Sequence, residues 1–256
     1  MSVPTYTTSI DAGDRVSRFW RSLAGACLIM LAATSDGSAQ VNDTKVYTFV
    51  LVDQLEFRSG DANPIRWDTK GWIGGDYNKL WFKSEGEQRT GTGAGDAEIQ
   101  ALFSRLISPF WDFQIGVRVD GVYGSDVDRL RGLLAVGVEG LAPYWFDVEA
   151  ALFVSHAGDI SLRVSSTYDL LMSQRLIFQP QFEVNAAVQE VPEFGVGSGI
   201  NEIELGGRLR YELRREFAPY IGISWTRRLG ETASLTRSEG AEVSDFSLVG
   251  GFRVWF

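Results

Sequence analysis

The chain has 256 residues, is 45% hydrophobic with 28 glycines, and carries a formal net charge of −9. That length permits one or two domains, and the acidic surplus excludes a nucleic-acid partner held by phosphate contacts. It holds one cysteine, Cys27, and one histidine, His156.

Residues 1–39 read as an export signal. Arg15, Arg18 and Arg21 precede an apolar run from Leu23 to Thr34, and Gly37-Ser38-Ala39 supplies small residues of the kind a signal peptidase accepts. A membrane anchor needs ~17–25 apolar residues, so this run is too short for one. Cys27 is followed by Leu28-Ile29-Met30-Leu31, which continue the run and place it inside the signal core rather than at a lipoprotein cleavage site. The signal contains three basic residues and three acidic ones (Asp11, Asp14, Asp36), so the chain after it keeps a charge of −9. It also has no cysteine for a disulfide, a thiolate metal site or a nucleophile.

After Val46 a helical period of 3.6 is hard to find, and a period of two dominates. At 111–120, Trp111, Phe113, Ile115, Val117 and Val119 alternate with Asp112, Gln114, Gly116, Arg118 and Asp120. Further on, Tyr144, Phe146, Val148, Ala150, Leu152 and Val154 oppose Asp147, Glu149 and Ser155. Next, Leu176, Phe178, Pro180, Phe182 and Val184 oppose Gln179, Gln181, Glu183 and Asn185. Near the end, Ile203, Leu205, Gly207, Leu209, Tyr211 and Leu213 oppose Glu202, Glu204, Arg208, Arg210 and Glu212. The last strand places Phe252, Val254 and Phe256 on one side and Arg253 on the other, which resembles the closing strand of bacterial outer-membrane β-barrels.

Alternation alone fits a soluble sandwich or a membrane barrel. Connection lengths favour the barrel. Short connections near 76–78, 108–110, 141–143, 172–174 and 214–217 take turns with mostly longer ones near 58–65, 86–96, 121–128, 156–159, 189–200 and 230–242. In such barrels short turns are periplasmic and long loops external. The aromatics Tyr77, Trp81, Phe110, Trp111, Tyr144, Trp145, Phe217 and Tyr220 suit an interfacial girdle on the short-turn side. The expectation is an all-β, antiparallel transmembrane outer-membrane barrel over residues 40–256, with about twelve strands and ten as the alternative even count.

Within this frame several segments are similar to the copper resistance protein B family. They are Gly71-Trp72-Ile73-Gly74-Gly75-Asp76-Tyr77-Asn78-Lys79-Leu80-Trp81, Ser108-Pro109-Phe110-Trp111-Asp112 and Gly140-Leu141-Ala142-Pro143-Tyr144-Trp145-Phe146. Gln174-Arg175-Leu176-Ile177-Phe178-Gln179-Pro180 and Arg214-Arg215-Glu216-Phe217-Ala218-Pro219-Tyr220-Ile221-Gly222 extend the likeness. The resemblance implies an outer-membrane barrel that binds and moves copper ions in bacterial copper tolerance, surrounded by outer-membrane lipid. A periplasmic copper-binding protein or multicopper oxidase is the partner it implies, and copper is a weak or transient ligand rather than a resident one. The chain departs from the family where the chemistry is expected, because Gln40-Val41-Asn42-Asp43-Thr44-Lys45 stands where many members carry a Met- and His-rich tract. Copper(I) prefers soft sulfur ligands and copper(II) commonly takes imidazole, and beyond the signal the chain has only His156 and Met172.

His156, followed by Ala157-Gly158-Asp159, has two readings: a lone imidazole ligand at an external lip, with or without Asp159, or a solvated loop residue, and the second ranks first. Met172 reads as a gap-filling side chain in a short turn. The polar register sends Asp112, Arg118, Asp120, Asp147, Glu149, Arg163, Asp169, Arg175, Glu183, Glu202, Glu204, Arg208, Arg210, Glu212 and Arg253 to the lumen. These form either an interlocking salt-bridge network that plugs the barrel or a hydrated path whose carboxylates hold a divalent cation briefly. The network ranks first because acids and bases interleave. A conduit needs surplus acid in one section, and Glu183, Glu202 and Glu204 come nearest, with Arg175, Arg208 and Arg210 as their partners if they serve the network. The glycine clusters at 91–95 and 195–199 lack the Lys-Ser/Thr of a nucleotide loop and read as flexible outer loops. Two rival readings remain: a structural or general porin-like barrel without specific copper binding, and an outer-membrane lipid hydrolase. The hydrolase would draw on the Ser155–His156 neighbourhood, although adjacent strand residues face opposite ways.

Overall fold

The computed structural model describes residues 45–60, 63–124, 129–238 and 240–256; the expected signal, Cys27 and the segment 40–44 lie outside these residues. The alternating stretches become twelve antiparallel strands. They are β1 Tyr47–Arg58, β2 Pro64–Gly74, β3 Asn78–Arg89, β4 Gly95–Ser108, β5 Trp111–Tyr123 and β6 Arg129–Ala142, followed by β7 Phe146–Ser155, β8 Ile160–Tyr168, β9 Leu176–Ala187, β10 Gly199–Tyr211, β11 Phe217–Arg228 and β12 Ser244–Trp255. Leu170–Leu171 prolong β8 against β9 past Asp169. Each strand pairs with its neighbours in sequence, and β12 closes the ring on β1 through Trp255 opposite Leu51 and Val249 opposite Arg58. Closure leaves no strand edge, which a bilayer requires because lipid cannot satisfy exposed backbone groups.

Burial confirms which face is which. Ile115, Val117, Leu205, Leu209, Ile221 and Leu248 are exposed, whereas Gln114, Asp120, Glu204, Arg208 and Arg210 are buried. The oily face points outward to lipid and the charged face inward, the reverse of a soluble barrel. Turns at 75–77, 109–110, 143–145, 172–175 and 212–216 sit at one end, and connections 59–63, 90–94, 124–128, 156–159, 188–198 and 229–243 at the other. The length contrast rests chiefly on the last two.

Four local expectations need correction. Trp81 and Tyr220 do not join the girdle: both are buried in the lumen, Trp81 in an apolar cluster with Leu102, Leu133, Ala135, Ala151 and Phe153, and Tyr220 on a carboxylate. Tyr77, Phe110, Tyr144 and Trp145 do project at the short-turn end, and the last three hold φ near +70° because two- and three-residue turns reverse the chain there. Met172 fills no gap; it is exposed on its turn. A helix also forms where periodicity predicts none, α1 Gly230–Ser238 in the last outer connection. Its buried face is Thr232, Ala233 and Thr236, so polar and small residues hide the signal that apolar spacing would give.

The glycine cluster at 195–199 is tied down by this helix. The Gly197 amide donates to Thr232 Oγ1 at 2.9 Å, and the Ser198 amide and hydroxyl donate to Glu231 at 3.0 and 2.7 Å. Those two donors hold the Glu231 carboxyl below the usual carboxylate range.

Candidate functional site

Inside the barrel, strand register stacks like charges against one another. On β2–β5, Asp68, Glu85, Glu98 and Asp120 lie directly opposite in turn. On β5–β10 a second row runs Asp112, Glu139, Glu149, Ser165, Glu183 and Glu204. Like charges directly opposite are destabilising, so cationic side chains must offset these rows, Arg131 from directly opposite Asp120, Arg118 from the same strand as Asp120, and others from further round the wall. They do so in three clusters.

The first cluster lies on the β9–β2 side. Glu56, whose side chain is fully buried, accepts from Arg208 Nε and Nη2 at 2.9 Å each, from Arg58 Nε at 2.9 Å and from the Tyr220 hydroxyl at 3.0 Å. Arg208 Nη1 also donates to Gln181. Glu204 accepts from Arg58 Nη2 at 2.7 Å, Arg66 Nη1 at 2.9 Å and the Ser224 hydroxyl at 2.9 Å. In the second cluster, at the short-turn end, Lys83 reaches Glu139 at 2.9 Å and Glu149 at 2.8 Å, and Lys70 adds a contact to Glu139 at 3.2 Å. The third, nearer the outer loops, joins Arg118 to Glu98 at 2.7 Å and Asp120 at 2.5 Å, with Arg131 on Asp120 at 2.8 Å and Arg163 on Glu98 at 2.9 Å.

Glu183, Glu202 and Glu204 share one chamber, but their partners differ from those expected. Glu204 pairs with Arg58 and Arg66, Glu183 faces Arg163 at 3.6 Å, and Glu202 faces Arg228 at 3.5 Å in a half-exposed contact. Arg208 serves Glu56, Arg210 serves Asp169 at 2.8 Å, and Arg175 sits exposed on the 172–175 turn. Arg253 pairs with Asp53 at 2.8 Å, and Glu212 is half-buried at the short-turn rim. Among the residues that sequence reasoning left out, Glu56, Arg58, Arg66, Lys70, Lys83, Glu85 and Glu98 line the wall made by β1–β4.

His156 is exposed on the loop after β7 and does not line the chamber that holds the three glutamates. The hydroxyl of its neighbour Ser155 donates to Asp159 at 2.8 Å and accepts the amides of Ala157 and Asp159, so it holds the turn. Among the described residues, no three His, Cys, Asp or Glu side chains are arranged as a metal-holding group.

Two chambers occupy the lumen. The inner one, about 740 Å³, opens toward the short turns between Trp145, Asp169 and Leu171. The outer one, about 320 Å³, is lined by Glu87, Asp96, Glu242 and Asp245 together with the three glutamates. Carboxylates outnumber cationic side chains nine to four around the outer chamber and eight to five around the inner one. The side cavity beneath α1 has the opposite balance, three carboxylates to six arginines. Acid surplus is therefore confined to the axial route. Its donors are hard oxygens, and calorimetry on the purified barrel is expected to show weak copper binding without a tight stoichiometric site. A tight site surviving His156→Ala and Met172→Ala would contradict this.

Residues 46–256 match the family model described as copper resistance protein B precursor. The chain is 43% identical over 217 residues to the copper resistance protein B of Escherichia coli, covering 84% of this chain and 72% of that protein. It is 39% identical over 224 residues to a copper resistance protein B homolog of Pseudomonas syringae pv. tomato, covering 87% and 74%. Among solved structures, the NanC porin superposes with a TM-score of 0.51 at 13% identity, covering 81% of this chain and 99% of that one, a likeness of fold alone. With an outer-membrane-type barrel and two relatives near 40% identity over most of its length, the chain belongs to the copper resistance protein B family.

Proposed function

We propose that this protein sits in the bacterial outer membrane and passes copper ions along its lumen, holding them only transiently, without catalysis. The supporting observation is the axial surplus of carboxylate, nine to four in the outer chamber, built from rows that place like charges face to face. Such rows cost stability, and the interleaving along the sequence that favours a structural network does not extend across these strands, where carboxylates face carboxylates. Carboxylate-lined openings draw divalent cations in, and weak, multiple sites let them leave. Glu183, Glu202 and Glu204 are the proposed stations, and His156 is at most an accessory ligand at the outer lip. Outer-membrane lipid surrounds the barrel, and a periplasmic copper-binding protein or multicopper oxidase receives or supplies the ion.

The test replaces all three stations, Glu183→Gln, Glu202→Gln and Glu204→Gln, which keeps size and hydrogen bonding but removes charge. Cells carrying the triple variant are expected to match a deletion strain in copper accumulation and sensitivity. Glu204 also anchors Arg58 and Arg66, so the variant is expected to melt at a lower temperature as well. Glu202→Gln alone separates the two effects, because its partner Arg228 is half-exposed. Wild-type copper handling in a folded triple variant would refute the stations.

A further inference from the structure

One residue stands where four water-accessible spaces of the lumen meet. Arg163, on β8, lines the inner chamber, the acidic outer chamber, the side cavity beneath α1 and a second side cavity of about 400 Å³ bounded by Tyr123 and Phe194. Its strand neighbours are Ala151 on β7 and Asn185 on β9. Its guanidinium, however, crosses the lumen to the far wall. Nη1 reaches Glu85 on β3 at 3.3 Å and Glu98 on β4 at 3.2 Å, while Nη2 reaches Glu98 at 2.9 Å. Nε stays on the near wall, donating to Asn185 at 3.2 Å and facing Glu183 at 3.6 Å. In a twelve-strand ring, β8 and β3 are five strands apart, close to diametrically opposite. A single side chain thus ties two walls together at the level where the chambers join.

The three carboxylates it holds belong to the acidic rows, and one of them, Glu183, is a proposed cation station. Glu85 and Glu183 line both axial chambers, as does Arg66. A cation moving from one chamber to the other must pass between these groups, and the guanidinium already occupies the position their charges favour.

We infer that Arg163 is a tethered counter-ion that closes the axial path: it neutralises Glu85, Glu98 and Glu183 in the resting barrel, and a divalent cation entering from the outer chamber exchanges with it. The inference rests on the reading of the lumen as a cation path and names the residue that gates it. A planar guanidinium suits this role, because its fork bridges carboxylates on two walls at once. Lysine at the same place carries the charge as a point and cannot span both.

The experiment is conductance in planar lipid bilayers with potassium chloride as the only electrolyte, using the full-length mature wild type, Arg163→Gln and Arg163→Lys. Folding of each is checked first by the heat-dependent gel mobility of closed barrels. Arg163→Gln is expected to conduct several-fold more than wild type, with a reversal potential in a salt gradient shifted toward the potassium value. Arg163→Lys is expected to fall between the two. If Arg163→Gln does not assemble, Arg163→Lys carries the test alone, and a conductance above wild type supports the gate. Equal conductance in wild type and every folded variant would overturn it, as would a rise with no change in reversal potential, since loss of a counter-ion from an acid-lined path must make that path more cation-selective. Copper entry into proteoliposomes separates this from the parent reading. Absence of copper flux alongside the expected potassium results sinks the copper path and leaves the gate standing. Copper flux with an Arg163→Gln variant that conducts like wild type sinks the gate alone.

Discussion

Replacing Glu56 with alanine is expected to lower the stability of the folded barrel by about 3–5 kcal/mol, the cost of breaking a buried ion pair and leaving charge uncompensated. Its side chain has no solvent exposure, and it holds Arg208, Arg58 and Tyr220 from three other positions on the wall. Arg58 keeps Glu204 after the change, but Arg208 retains only the amides of Gln54 and Gln181. Pairing Glu56→Ala with Arg208→Met is therefore expected to recover much of the loss, since apolar replacement of a whole buried pair is often close to neutral. Urea unfolding of the four proteins of this cycle in one detergent checks both statements. A single Glu56→Ala change costing under about 0.5 kcal/mol, the level of an ordinary surface substitution, would show that the cluster is hydrated and not structural.

Removing β12, Ser244–Trp255, is expected to abolish assembly outright. This strand pairs with β11 from Phe217 to Arg227 and with β1 from Leu51 to Arg58. Without it both neighbours present unpaired backbone groups to hydrocarbon, where each costs several kcal/mol. Phe256 adds to the seam, exchanging backbone hydrogen bonds with Val50 at 2.9 and 3.2 Å. Loss of heat-dependent gel mobility and of protease resistance is the expected result. A folded eleven-strand barrel would contradict it.

The strands and their faces were legible in the sequence because a barrel's period of two survives in plain residue order. β5 and β9 show it most plainly, and the charged residues of β5, β7, β9 and β10 lie inside as that period demands. The wall made by β1–β4 was less legible. A bulge at Asp53 breaks the register between Val52 and Gln54, so Leu51 and Gln54, of opposite parity, are both buried. A second bulge, at Asn201, shifts Ile200 relative to Glu202 against β9. Parity also misled where the lumen is apolar. Trp81, Leu102, Ala135 and Phe153 sit on the inner face, joined across β5 by Gly116, which has no side chain to betray its direction. Pairing partners were beyond reach for another reason. Arg163 meets Glu85 from 78 positions away, a contact set by closure of the ring rather than by any local pattern.

Whether copper ions cross through the acid-lined lumen is decided by copper entry into proteoliposomes containing the purified protein, measured with an entrapped copper-sensitive dye. Wild type is expected to admit copper, and most of that entry is expected to be lost when Glu183, Glu202 and Glu204 are all changed to glutamine in a barrel that remains folded. Entry no faster than in protein-free vesicles, or unchanged entry with the triple variant, would rule out copper passage by way of these glutamates.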